Sequence, residues 1–339
     1  MDQENPPGLD LARLRAHLDA ERPGLVTGPL RARLIEGGRS NLTYIVGDGE
    51  NRWVLRRPPL GHVLPTAHDM GREHTVISAL GPTPVPVPPT VLLCRDESVL
   101  GAPFYVMDYI EGTPYRRRDQ LEALGRERTR LIAEAMIDTL SELHAVDYTS
   151  VGLAGFGRPE GYLERQVRRW GRQLDASRSR DIPGIDTLRE RLSARLPTSQ
   201  EPAIVHGDYR LDNLLIGADD RVAAVLDWEM STLGDPLTDI ALLVAYTEGE
   251  ALGDEISSVA TAPGFPPVRD LITRYTATSG RDISAMAWYL GFAFFKLAVI
   301  LEGIHFRHSQ GKTVGEGFDR IGASVAPLVA RGNAVLEED

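Results

Sequence analysis

Apolar positions along this chain keep two rhythms: alternation through roughly the first hundred residues, and helical spacing through most of the rest. Leu9, Leu11, Leu14 and Leu18 mark a short amphipathic helix that ends before Pro23-Gly24. Strand-like runs come next at 30–35, 42–46 and 52–56, and Gly47-Asp48-Gly49 joins the last two as a hairpin. A helix is expected over 68–80. The proline-rich run 81–89 can be neither helix nor central strand and reads as a connector. Strands are expected at 90–94 and 103–109, and Glu111-Gly112-Thr113-Pro114 breaks the pattern. The spacing then predicts helices over 126–144 and 161–174. In the second of these, Leu163, Val167, Trp170 and Leu174 share one face and Arg165, Arg168, Arg169 and Arg172 the opposite one. Ile204-Val205 reads as a short buried strand, and 214–216 with 222–226 as two β-rich arms around a Gly-Ala-Asp-Asp turn. A helix starts at Leu237, and the remainder to Val335 is expected to be helical.

Composition narrows the class. At 339 residues, 42% apolar and 25% charged, the chain is ordinary globular matter, long enough for two lobes. Its net charge of -11 argues against general nucleic-acid binding, which needs a basic surface. The single cysteine, Cys94, staples nothing internally, and the start MDQENPPG has no basic segment with an apolar run behind it, so a cytoplasmic location is expected. The apolar run Ala285 to Leu301 carries Lys296 and reads as a buried helix, not a membrane span. Arginine outnumbers lysine 35 to 2, with Lys296 and Lys312 the only lysines. No Walker A loop is therefore possible.

The chemistry gathers in Ala203 to Glu229. His206, Asp208 and Asn213 form an H-x-D-x-x-x-x-N array, and a second aspartate, Asp227, ends the later arm. Taken alone, D-x-x-x-x-N is common, and Asp and Asn punctuate turns. Taken together, the set offers hard oxygens suited to Mg²⁺ and a carboxylate left over to orient a hydroxyl, which is phosphoryl-transfer spacing.

The motifs HGDYRLDNLL and VLDWEMSTLGDPLTDIALL closely resemble the aminoglycoside phosphotransferase family of kinase-like enzymes, and more narrowly the branch related to kinase-like domains fused to acyl-CoA dehydrogenases. The resemblance spans about residues 25 to 330. It implies an α+β, protein-kinase-like two-lobed fold: an N-terminal helical extension (1–24), a small antiparallel N-lobe that binds nucleotide (25–110) and a mainly helical C-lobe (111–339) with the catalytic loop and acceptor site. It implies ATP or GTP with Mg²⁺ as cofactors, a small-molecule hydroxyl as acceptor, and neither nucleic acid nor membrane as partner.

Residue by residue, Asp208 orients the acceptor hydroxyl, His206 holds the loop, and Arg210 joins them as a candidate catalytic residue. The resemblance implies Asn213 and Asp227 as the metal ligands. Where protein kinases have Asp-Phe-Gly, this chain has Asp227-Trp228-Glu229. Ser40 and Asn41, in the loop Glu36 to Asn41, stand at the phosphate loop, although Gly-Gly-x-Ser-Asn is equally an ordinary hairpin turn. Arg56 takes the place of the kinase lysine with Glu73 as its partner; the competing reading makes Arg56 and Arg57 solvated ends of an edge strand and Glu73 a surface acid. Met107 and Tyr109 lie along the adenine. Asp235 and Asp239 brace the catalytic loop. The stripe Arg165, Arg168, Arg169 and Arg172 is either an anion-binding wall for the acceptor or a solvated face. Three functions remain open: a kinase for an anionic or acyl-CoA-like alcohol, an aminoglycoside kinase, and a non-catalytic nucleotide-binding module.

Overall fold

The computed structural model describes residues 5–35, 41–60, 69–248, 259–311 and 321–338. The chain divides into two compact units, Met1–Gly112 with Ala223–Met230, and Thr113–Val222 with Ser231–Asp339.

In the first unit, β1 (Arg31–Leu34), β2 (Leu42–Gly47), β3 (Arg52–Arg57), β4 (Thr90–Cys94) and β5 (Phe104–Asp108) form one sheet in the order β1-β2-β3-β5-β4, antiparallel at every step. The β2–β3 turn is closed by Asp48, whose carboxylate accepts the N–H groups of Glu50 (3.0 Å) and Asn51 (2.7 Å). Helix α1 (Leu11–Glu21) is N-capped by Asp10, which accepts from Ala12 and Arg13. Its Leu11, Leu14 and Leu18 share a core with Tyr44, Val46, Leu55, Phe104 and Val106. Within the stretch expected as an N-terminal helical extension, 1–24, α1 packs into the sheet's own core, because three leucines on one face need apolar cover. Helix α2 (Met70–Leu80) begins at its Asp69 cap, and residue 68 of the expected span lies outside the described residues. A short helix, α3 (Glu97–Leu100), interrupts the β4–β5 connection; no apolar rhythm announces it.

Strand β3 is buried from Trp53 to Arg57 because it is an inner strand with cover on both faces. Trp53 and Leu55 enter the α1 core, and alternation turns Val54 and Arg56 to the other face. Arg56 is 9% and Arg57 4% exposed, so the edge-strand reading of this pair is excluded. The Arg57 guanidinium lies on the α1 side and donates to the carbonyls of Gly8 and Leu100. Residues 223–230 complete this unit: Val225 N–H donates to Pro86 O (2.8 Å), and the 3-10 turn Trp228–Met230 packs against α2.

The second unit is mainly helical. It contains α4 (Arg118–Glu122), α5 (Arg126–Ala145), α6 (Tyr162–Ser177), α7 (Ile185–Ala194), α8 (Leu237–Thr247), α9 (Val268–Ser279), α10 (Met286–Ser309) and α11 (Val325–Val335). Strands β6 (Ala203–Val205) and β7 (Thr232–Gly234) pair antiparallel. Helix α10 is the axis, packed by α6, α7, α8 and α11. At 24 residues it outruns the apolar stretch from Ala285 to Leu301 and is long and apolar enough to cross a membrane. In this unit it is instead largely buried among the other helices, as expected of a core helix.

Because Arg57 satisfies two main-chain carbonyls and forms no ion pair among the described residues, Arg57→Ala is expected to cost the fold about 2 kcal/mol. Urea denaturation measures it, and a loss below about 0.5 kcal/mol, ordinary for a surface site, would count against this packing role.

Candidate active site

In the first unit, β3 and α2 bring one arginine into a ring of acids. Arg56 Nη2 lies 2.9 Å from Asp227 Oδ1, and its Nε lies 3.3 Å from Glu73 Oε2. Glu73 is 1% exposed and accepts from the Tyr105 hydroxyl (2.9 Å) and from Asn41 Nδ2 (3.0 Å). The same Asn41 amide reaches Glu229 Oε2 at 3.1 Å. Burial pushes the Glu73 carboxyl up to about 7 against the pull of Arg56 and the Tyr105 hydrogen bond, and Asp227 and Glu229 add to the rise. Burial works against the Arg56 charge too, but Tyr105, Glu73 and Asp227 outweigh it and hold the guanidinium protonated. Two carboxylates, Glu73 and Asp227, thus face Arg56, and Glu229 joins them through Asn41.

Asp227 has φ of 65°, a left-handed backbone that a non-glycine residue adopts only when its surroundings compel it. Trp228 supplies the compulsion: it is fully buried and its Nε1 donates to Val225 O at 3.0 Å. The strain turns the Asp227 carboxylate onto Arg56 and leaves it about a third exposed.

In the second unit, β6 runs straight into the loop that carries the H-x-D-x-x-x-x-N array. Asp239, in the first turn of α8, accepts the main-chain N–H groups of His206 (2.7 Å) and Gly207 (2.8 Å). Gly207 turns the chain at φ 85°. His206 is 0% exposed and its Nδ1 accepts the Asp208 N–H at 3.2 Å. Grouped with the catalytic residues on its motif, it is placed here as a brace, because a fully buried imidazole has no access to a substrate. Asp235 accepts from Gln200 N–H (2.8 Å), Tyr289 OH (2.8 Å) and Leu237 N–H (3.1 Å), so it ties the strand region to α8 and α10.

The Asp208 carboxylate receives Asn213 Nδ2 on Oδ2 (3.0 Å) and the Tyr246 hydroxyl on Oδ1 (3.1 Å). Arg210 pairs with Asp212, and its guanidinium stands 4.8 Å over the Tyr246 ring. Lys296 of α10 donates to Gly207 O at 2.7 Å; burial lowers its pKa while Asp208 and Asp239 work the other way. Beside the loop, Arg210, Asp212, Tyr246, Met136, Leu243 and Phe265 line a small, half-open pocket.

The sequence profile described as the Phosphotransferase enzyme family, APH, matches residues 31–271. The chain belongs to the APH phosphotransferase family. Among curated relatives, acyl-CoA dehydrogenase family member 11 of Gallus gallus is 37% identical over 91% of this chain and 41% of its own length. The Homo sapiens member 11 is 34% identical over 95% of this chain and 42% of its length. The chain therefore spans about two fifths of the length of each of these two relatives. A solved Ralstonia eutropha structure assigned as an aminoglycoside phosphotransferase is 32% identical, with TM-score 0.84 over 97% of this chain and 98% of that one. A thermostable mutant of aminoglycoside phosphotransferase APH(4)-Ia, captured with AMP-PNP and hygromycin B, shares the fold at 11% identity, with TM-score 0.62 over 96% of this chain and 97% of that one. The kinase-like fold, a five-stranded antiparallel sheet succeeded by a mainly helical region, is thereby established.

Other residues singled out by the sequence stand in this APH-family chain as their hydrogen bonds and packing place them. Asn41, expected as a phosphate-side donor, is 4% exposed and spends its amide on Glu73 and Glu229, because buried carboxylates claim the nearest donor. Ser40 lies outside the described residues. Met107 is an inner-sheet residue laddered to Val54 and Thr90. Tyr109 gives its N–H to Arg52 O (3.2 Å) and packs its ring under the Arg52 guanidinium. On α6 the predicted apolar face is buried. Of the four arginines, Arg168, Arg169 and Arg172 are exposed, Arg165 is half-buried and turns onto the carbonyls of Arg158 and Glu160, and Arg168 pairs with Glu164. That is the solvated-face alternative.

Tyr246, Lys296, Tyr105, Asp212 and Glu229 were not legible as site residues from any motif. Only Lys296 carried a signal: a lone ammonium in an apolar helix, in a chain with 2 lysines, needs a polar partner.

Helix α5 adds a titrating contact. His144 is buried, with Nδ1 2.8 Å from the Tyr275 hydroxyl and Nε2 3.3 Å from Asp239 Oδ2. Burial is the largest influence and lowers its pKa, aided by Arg281 and opposed by Asp239 and Asp235, so the ring stays neutral. Since the folded-state pKa is depressed, the unfolded chain takes the proton first. Stability from His144 is complete above the unfolded value of about 6.5 and is lost as pH falls through it, by up to about 1.4 kcal/mol per unit. His144→Gln removes that component, and urea titrations at neutral and mildly acidic pH should show a shallower loss in the variant. Equal losses in both proteins would sink the assignment.

Proposed function

We propose that this APH-family chain transfers the terminal phosphoryl group of Mg-ATP or Mg-GTP to a hydroxyl of a small molecule. The observation that carries the reading is Asp208: a half-exposed carboxylate with both oxygens oriented, on a loop whose main chain is pinned by Asp239. The new P–O bond forms to the acceptor oxygen as the bond to the leaving diphosphate breaks, and Asp208 takes the acceptor's proton late. Arg56 serves the nucleotide phosphates from the first unit, held in place by Glu73. A structural relative's complex with AMP-PNP supports the choice of nucleotide.

Oxygen donors of the kind Mg²⁺ takes are present in each unit. In the first, Asp227 brings a strained, partly exposed carboxylate; in the second, Asn213, whose Nδ2 is turned to Asp208, keeps its Oδ1 as an acceptor. Among the described residues no group of three or more His, Cys, Asp or Glu side chains forms a metal cage. When bound, the ion neutralises phosphate charge.

For the acceptor we favour an acyl-linked or otherwise anionic alcohol, because the curated relatives carry the acyl-CoA dehydrogenase name. The α6 arginines give this little help, since Arg165 and Arg168 already have partners. The Ralstonia eutropha match keeps an aminoglycoside as the second reading. A screen of Mg-ATP consumption across hydroxyacyl thioesters, hydroxy acids and aminoglycosides separates the two.

With the acceptor in hand, Asp208→Asn is expected to lower kcat by about a thousandfold and leave Mg-nucleotide affinity nearly intact. Asp227→Ala is expected to abolish Mg-dependent nucleotide binding by calorimetry. Wild-type turnover in both variants would overturn the kinase reading.

A further inference from the structure

The two groups that hold the Asp208 carboxylate come from different places. Asn213 belongs to the same loop and moves with it, whereas Tyr246 stands near the end of α8. The first turn of that helix carries Asp239, which pins the main chain of His206 and Gly207. One rigid helix therefore grips the loop twice, by its backbone through Asp239 and by its reactive side chain through Tyr246. An aspartate rotates freely about its last torsion unless something outside it stops the rotation. An ionised carboxylate has no proton to offer, so the hydroxyl must be the donor. Burial and the Asp208 charge raise the Tyr246 pKa well above its ordinary value, which keeps that proton in place. The ring is held in turn by Arg210, itself paired with Asp212.

We propose that Tyr246 is the positioning residue of this site: its hydroxyl fixes the rotation of the Asp208 carboxylate so that a lone pair faces the acceptor hydroxyl. The proposal rests on the reading of Asp208 as the proton acceptor. It predicts that the contact matters to turnover and not to nucleotide binding or to folding, since Asp239 secures the loop's backbone independently.

The test is Tyr246→Phe, which keeps the ring beneath Arg210 and removes the oxygen that meets both Asp208 and the Arg210 guanidinium. Mg-ATP turnover is read with water as acceptor and with the alcohol that the screen returns. The variant is expected to lose about 10- to 100-fold in kcat, with KM for Mg-ATP within about twofold and the thermal midpoint unchanged. In an Asp208→Asn background the same substitution should cost nothing further, because the group it acts on is gone. A crystal structure of Tyr246→Phe should show the Asp208 carboxylate rotated while the Asp239 contacts to His206 and Gly207 remain, and this arm decides even where turnover is too slow to measure. Unchanged kcat, an undiminished further loss in the Asp208→Asn background, or an unmoved carboxylate would each overturn the proposal. Full turnover in Asp208→Asn alone would instead remove the reading beneath it.

Discussion

A carboxylate taken out of water must be surrounded by donors, and in each unit one such carboxylate decides where the functional groups stand. In the second unit it is Asp239, fully buried, whose oxygens are met by two consecutive main-chain N–H groups and by His144. Those donors lie in the loop that carries Asp208, so satisfying the buried charge sets the loop. In the first unit it is Glu73, whose oxygens draw in Arg56, Tyr105 and Asn41. The arginine is thereby aimed at Asp227.

The use of arginine at position 56 has consequences beyond charge. A guanidinium presents several donors in a plane, so one side chain serves Glu73 and Asp227 at once, where an ammonium would act as a point charge. That rigidity suits an inner strand with little room. The single described lysine sits in the opposite circumstance. Lys296 has to thread from an apolar helix to one carbonyl, Gly207 O, and a slender ammonium with a long apolar stem fits that task.

The replacement of Phe-Gly by Trp228-Glu229 after Asp227 changes the character of that segment. The indole is anchored in the first unit's core through Val225, and Glu229 joins the Asn41 network. A left-handed aspartate pinned on its C-terminal side is a preorganised group, and its strain is borne by the packing of Trp228.

The sequence by itself determined the sheet-then-helix order, the α6 amphipathic face and the loop motif. Each is written in short-range terms: a period of two or 3.6, a glycine at a turn, or a motif with fixed offsets. What only the tertiary structure decided was which partner each polar group found. Asn41 went to two acids instead of remaining a phosphate-loop donor, α1 entered the sheet's core, the α6 arginines faced solvent, and Tyr246 and Lys296 reached the catalytic loop. Tyr246 lies 38 residues from Asp208 and Lys296 lies 89 from Gly207. No periodicity spans such separations; those contacts exist because helices packed around a buried core present their polar side chains to whichever loop must be satisfied there.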